Sequence, residues 1–189
     1  MRAILPGKIG VLIAFDAGAS LSETIMKAHL ICTLLAAAAL APASHAQDAT
    51  TTIRVLTPET ALAAAQAALA KCRDSGWQVA VSVVDRSGLA QVMLRDRFAG
   101  PHTPRTAAGK AWTAVSFRTS TSELDRLSRP GQPQSGIRQL PRVVALGGGL
   151  TIEAQGSILG GIGVSGGPVD GDEVCARAGI EAIRERIEF

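Results

Sequence analysis

Residues 79–94 read VAVSVVDRSGLAQVML: two runs rich in β-branched and apolar side chains, Val79–Val84 and Leu89–Leu94, joined by Asp85-Arg86-Ser87-Gly88. Runs of this length and composition are strands, and a glycine closing the connector supplies the positive φ that a tight turn requires. The stretch predicts an antiparallel hairpin and so puts a sheet with antiparallel neighbours at the centre of the fold.

Upstream, Thr57-Pro58-Glu59 is a helix start, with Thr as N-cap, proline in the first helical position and an acid in the first turn. The helix runs to Ser75-Gly76, and Leu62, Ala65, Leu69 and Cys72 recur at spacings of three and four, which turns one apolar stripe inward. Downstream of the hairpin, Thr103-Pro104 repeats the cap-and-proline signal and opens a helix to about Phe117, with Ala108, Ala111, Trp112 and Val115 on its inner face. Ser120 with Glu123 is a capping box for a short helix. Residues 129–141, rich in Pro, Gly, Gln and Ser, form a loop too short to separate folding units.

Three more strands follow, Arg142–Leu146, Leu150–Ala154 and Ile158–Ser165, broken by Gly147-Gly148-Gly149 and by Gln155-Gly156-Ser157. A last helix begins near Asp170 or Asp172 and carries Ala176, Ile180, Ile183 and Ile187 at helical spacing. Short connections and no strand–helix–strand alternation predict an α/β protein of the α+β type, with a five-stranded, mainly antiparallel sheet and helices packed on it. Residues 57–189 are enough for one domain and no second.

The first 46 residues read differently. Met26-Lys27, an apolar run from Leu30 to Ala41 and the small-residue stretch Ser44-His45-Ala46 have the layout of a secretory signal peptide over residues 26–46. The run is 12 residues long, short of the ~20 that span a bilayer. The expectation is cleavage after Ala46, no stable membrane insertion, and a periplasmic or secreted protein. Residues 1–25 then precede a leader that has its own Met26 and read as a mis-assigned start, and residues 47–56 as a flexible N-terminus.

Whole-chain net charge is only +3, which gives no basis for a nucleic-acid partner. The segment Arg86–Arg142 is the exception, with ten Lys and Arg against Asp96, Glu123 and Asp125, a balance suited to a small anionic ligand. Cys72 and Cys175 survive processing; an oxidising compartment allows them to pair, and the alternative is two small buried core residues. They are too few for a thiolate zinc site, and no Cys-x-x-Cys-His segment offers covalent haem attachment.

Gly161-Ile162-Gly163-Val164-Ser165-Gly166 matches the dinucleotide fingerprint, yet no second parallel strand or ribose-binding acid follows before Phe189. Its glycines suit close helix–strand packing, while Ser165-Gly166-Gly167, with Gly163, can aim backbone N–H groups at an anion. His102, the lone histidine after the leader, precedes the Thr103 helix. One histidine does not make a protein-only metal site, but a porphyrin supplies four ligands of its own, so one imidazole suffices for haem iron. Arg105 and Lys110 on that helix, Arg118 near its end and Arg142 are candidates to pair with carboxylates.

Taken in order, Val83-Val84-Asp85-Arg86-Ser87-Gly88, Ala99-Gly100-Pro101-His102-Thr103, Lys110-Ala111-Trp112-Thr113-Ala114, Leu146-Gly147-Gly148-Gly149-Leu150, Gly161–Gly166 and Asp172–Ile180 resemble the GlcG/HbpS-like, or haem-degrading domain, family, which includes the C-terminal domain of PduO-type proteins. The resemblance covers Thr57 to Ile187. It implies a profilin-like sandwich, a homo-oligomer and non-covalent binding of haem or iron, with His102 as axial ligand and Arg105 and Lys110 as propionate partners. Such a protein sequesters, delivers or senses haem. The alternative it leaves is an enzyme or accessory protein acting on a small anionic metabolite, as in glycolate or diol utilisation, at Gly163–Gly167 with His102 as acid or base.

Overall fold

The computed structural model describes residues 51–188. The leader, the upstream segment and residues 47–50 lie outside the described residues. From Thr52 onward the chain forms one compact unit, in the order α1 (Pro58–Asp74), β1 (Ala80–Asp85), β2 (Ala90–Arg95), α2 (Thr103–Phe117), α3 (Thr121–Leu127), a 3-10 turn (Ser135–Gln139), β3 (Gly149–Ala154), β4 (Ser157–Ser165), α4 (Val169–Glu181) and α5 (Arg184–Ile187). None of the described helices is long and apolar enough to cross a membrane. Residues 51–57 have no regular secondary structure, yet Leu56 is buried.

The sheet is antiparallel throughout in the order β2-β1-β4-β3. Gly88 closes the β1–β2 turn at φ 77°, while the Asp85 carboxylate accepts from the N–H groups of Ser87 and Leu89 at 2.8 and 2.9 Å. Alternation splits the side chains of β1. Val79, Val81 and Val83 face the main core beside Ile162, Val164 and the small inner residues of α1 and α4. Val84 faces the opposite way, against Ala111 and Val115 of α2. Two layers of helix thus enclose the sheet, α1 with α4 on one side and α2 on the other.

Thr57 caps α1 as predicted, its hydroxyl accepting from the Thr60 N–H at 3.3 Å. The inner stripe is Ala61, Ala64, Ala65, Ala68, Leu69 and Cys72. Leu62 instead points outward at 39% exposure, because alanines let α1 lie close to α4 where a leucine would hold it away. A Cβ on Gly179 of α4 would sit 2.6 Å from the Ala64 carbonyl oxygen. Across that seam Cys72 and Cys175 form a disulfide, with Cα atoms 5.5 Å apart.

On the other face, glycine brings α2 down to backbone contact with the sheet. A Cβ on Gly163 would lie 2.1 Å from the Ala107 carbonyl oxygen, and one on Gly149 would lie 2.5 Å from that of Lys110. The GxGxxG letters therefore belong to a strand interior that receives a helix.

Four expectations require correction. The sheet has four strands, not five: residues 143–145 have no regular structure and cross the outside of α2, with the Val144 N–H donating to Thr113 Oγ1 at 2.9 Å. The N-cap of α2 is His102; Thr103 lies inside the helix, and its hydroxyl donates back to the Gly100 carbonyl at 2.8 Å. The C-terminal helix is two pieces, α4 and the single turn α5. Ser120 does cap α3, accepting from the Glu123 N–H at 3.2 Å, but the Glu123 side chain pairs with Arg126.

Candidate functional site

Helix α2 carries most of the residues singled out in the sequence, and its two sides treat them differently. Thr103, Ala107, Lys110, Ala111, Ala114 and Val115 are buried, and so is Thr113, which bonds the segment crossing the outside of the helix. Ala108 and Trp112, expected on the inner face, are only half-buried. The inner face is thus rotated by about one residue from the apolar stripe read in the sequence, far enough to bring a lysine inside.

Lys110 is 1% exposed. Its ammonium donates to the Val164 carbonyl and to Asp172 Oδ2, both at 2.8 Å, tying α2 to the end of β4 and the first turn of α4. The other carboxylate oxygen, Asp172 Oδ1, accepts from the Gly167 N–H at 2.9 Å, and the nearby Gly166 N–H also favours its charged form. Burial pushes the Lys110 ammonium down and the Asp172 carboxyl up from their ordinary values, and their mutual hydrogen bond opposes both shifts. In a medium of low dielectric, desolvation outweighs the attraction between the two charges.

Lys110 is therefore no partner for an external propionate, since its donors face the interior. The expected anion site at Gly163–Gly167 is also corrected. The backbone N–H of Gly167 does hold an anion, but it is the chain's own Asp172. Gly163 is sealed under α2, and Ser165 is 5% exposed. Asp172 is the residue the sequence reading failed to place, and the available signal was a lysine directly preceding Ala111 in an otherwise small and apolar stretch.

The solvent side of α2 holds the remaining candidates. His102 is exposed at the head of the helix, and its imidazole caps no N–H group. The ring folds back over Gly100, where a Cβ would sit 2.8 Å from Cε1. One turn on, Arg105 is exposed and stands outside the ion pairs of the described residues. The spacing of three puts both side chains on one face of the helix. The Thr106 hydroxyl donates to the His102 carbonyl at 3.0 Å.

Beside this face, between α2 and the segment 142–144, runs a groove of about 490 Å³ lined by Arg105, Thr106, Ala108, Gly109, Arg142, Val143 and Val144. Its volume is in the usual range for a small-molecule site, and its lining combines Ala108, Val143 and Val144 with two arginines. Arg118 lies elsewhere, at the C-cap of α2 beside Arg86 and Glu153. Among the described residues no group of three or more His, Cys, Asp or Glu could hold a metal ion.

Comparison with known proteins gives this geometry a context. The family model described as "Haem degrading protein HbpS-like" matches residues 56–181. The corrinoid adenosyltransferase PduO of Citrobacter freundii is 36% identical over 123 residues, 64% of this chain and 37% of PduO. The chain thus spans little more than a third of the curated PduO relatives it matches. Among solved structures, a double mutant of HbpS from Streptomyces reticuli is 38% identical with a TM-score of 0.68, covering 76% of this chain and 97% of that one. The structure of PduOC in complex with haem is 33% identical with a TM-score of 0.65, covering 68% and 95%. A model matched from the residue before the α1 cap to the last residue of α4, and by relatives sharing both sequence and fold, assigns the chain to the HbpS-like family.

Proposed function

We propose that this protein is exported and binds haem non-covalently on the outer face of α2, with His102 as axial ligand and Arg105 toward the propionates. The carrying observation is an exposed imidazole one helical turn from an unpaired guanidinium, that of Arg105, which lines the groove between α2 and residues 142–144. With no cluster of ligating side chains among the described residues, a metal here needs a carrier that brings its own equatorial ligands. A porphyrin does so, and a single histidine then completes the site. The haem complex of the related PduOC domain supports the choice of ligand. The leader-like residues 26–46 and the disulfide support an oxidising compartment.

The chain's part is binding and presentation: His102 ligates, Arg105 offsets negative charge, and Ala108, Val143 and Val144 exclude water from one side. Sequestration or delivery follows from such a shallow, one-sided site. The test is expression with the native leader, followed by a Soret titration of the exported protein. We expect an N-terminus at Gln47, a saturable Soret shift, and at least a tenfold weakening with a changed spectrum in His102→Ala. A shift and affinity unaltered by His102→Ala would remove the ligand assignment.

A further inference from the structure

Arg142 occupies a position that its backbone does not favour. It adopts φ 72°, in the left-handed region that side chains other than glycine and asparagine seldom enter. Its guanidinium carbon lies 4.8 Å from the centroid of the Trp112 ring. The indole is itself fixed, because it packs on Gly88, where a Cβ would fall 2.5 Å from the Trp112 Cδ1 atom. Two residues further along, Val144 is held to α2 by its N–H bond to Thr113 Oγ1, and its Cγ2 fills the space above Gly109. The arginine is thus positioned from both directions.

Arg142 takes part in no ion pair of the described residues. A guanidinium stacked on an aromatic face keeps its N–H edge free for carboxylate oxygens and has lost rotamer freedom before any ligand arrives. It lines the same groove as Arg105.

Resting on the haem-binding reading above, we propose that Arg142 and Arg105 form a two-arginine clamp for a ligand with two carboxylates on one edge. Trp112 is the positioning residue of the clamp and touches no ligand. In this chain Arg142 takes the part that the sequence offered to Lys110.

The test compares Kd values for iron(III) protoporphyrin IX and its dimethyl ester, which keeps the iron and ring but lacks both carboxylate charges. In R142A the preference for the diacid over the ester should fall about tenfold, as expected for the loss of a charged hydrogen-bonding partner. W112L should move the same ratio in the same direction, and R142K should restore only part of it. A misfolded variant would lose both ligands together, so the ratio isolates the clamp. If R142A leaves the ratio at the wild-type value, the clamp is wrong while haem binding through His102 stands. If the wild-type protein binds neither compound, both readings fall.

Discussion

Lys110 shows how far a single side chain can depart from what its type suggests. Helical spacing assigns inward positions by apolarity, and lysine is among the residues least often buried. What reverses the assignment is Asp172, 62 residues away, and no local pattern reports a partner at that distance. Removing one member should be much worse than removing the charge from both. K110M leaves the buried Asp172 carboxyl without its counterion, and we expect a loss of about 3–5 kcal/mol in urea unfolding. K110M/D172N should recover most of it, because the asparagine carbonyl can still accept from the Gly167 N–H while carrying no charge. A double variant as unstable as K110M alone would show that the ammonium matters for something other than neutralising Asp172.

At the scale of elements, the hairpin, the caps of α1 and α3 and the approximate helix spans were legible, since each depends on residues adjacent in sequence. Residues 142–146 were not. Val143, Val144, Ala145 and Leu146 carry a strand's composition, but β propensity expresses a fit to a sheet neighbour, and here the available neighbour is the outside of α2. Arg138 holds the loop from its other end. Its guanidinium donates to the Ser128 carbonyl at 2.7 Å and to the Asp125 carbonyl at 3.0 Å, and it pairs with the Asp125 carboxylate, which Arg129 also bonds.

Hydrogen bonds from Arg129 and then Arg138 hold the Asp125 carboxyl below its ordinary value. Folded-state depression of an acid gives stability that is complete above the ordinary aspartate range and is lost as pH falls through the folded value. Wild type should therefore exceed D125N by about 1 kcal/mol near neutral pH, a size typical of partly exposed pairs. Urea unfolding over an acid series should show that gap closing. A gap that persists in acid would mean that Asp125 acts through packing instead.

For the molecule as a whole, composition and element order pointed to a helix-covered antiparallel sheet, and the outward-facing His102 and Arg105 remain available for a ligand. The disulfide was not decidable in advance, because Cys72 and Cys175 meet only when α1 and α4 lie side by side. Closing a separation of 103 residues restricts the unfolded chain strongly. Reduction, or C72A/C175A, should cost about 2–4 kcal/mol in urea unfolding. Equal stability with and without reductant would place the two sulfurs among ordinary core atoms.

That bond also turns residues 72–175 into a covalent ring, and all four strands, α2 and the loop over it lie within the ring. A protease that nicks the exposed Pro130–Gln134 stretch would open the ring into a two-chain molecule without shedding either half. The nicked species should migrate as one band on a non-reducing gel and separate into two under reduction. A cut there would leave the halves joined, so that surviving the cleavage would not require an uncut backbone.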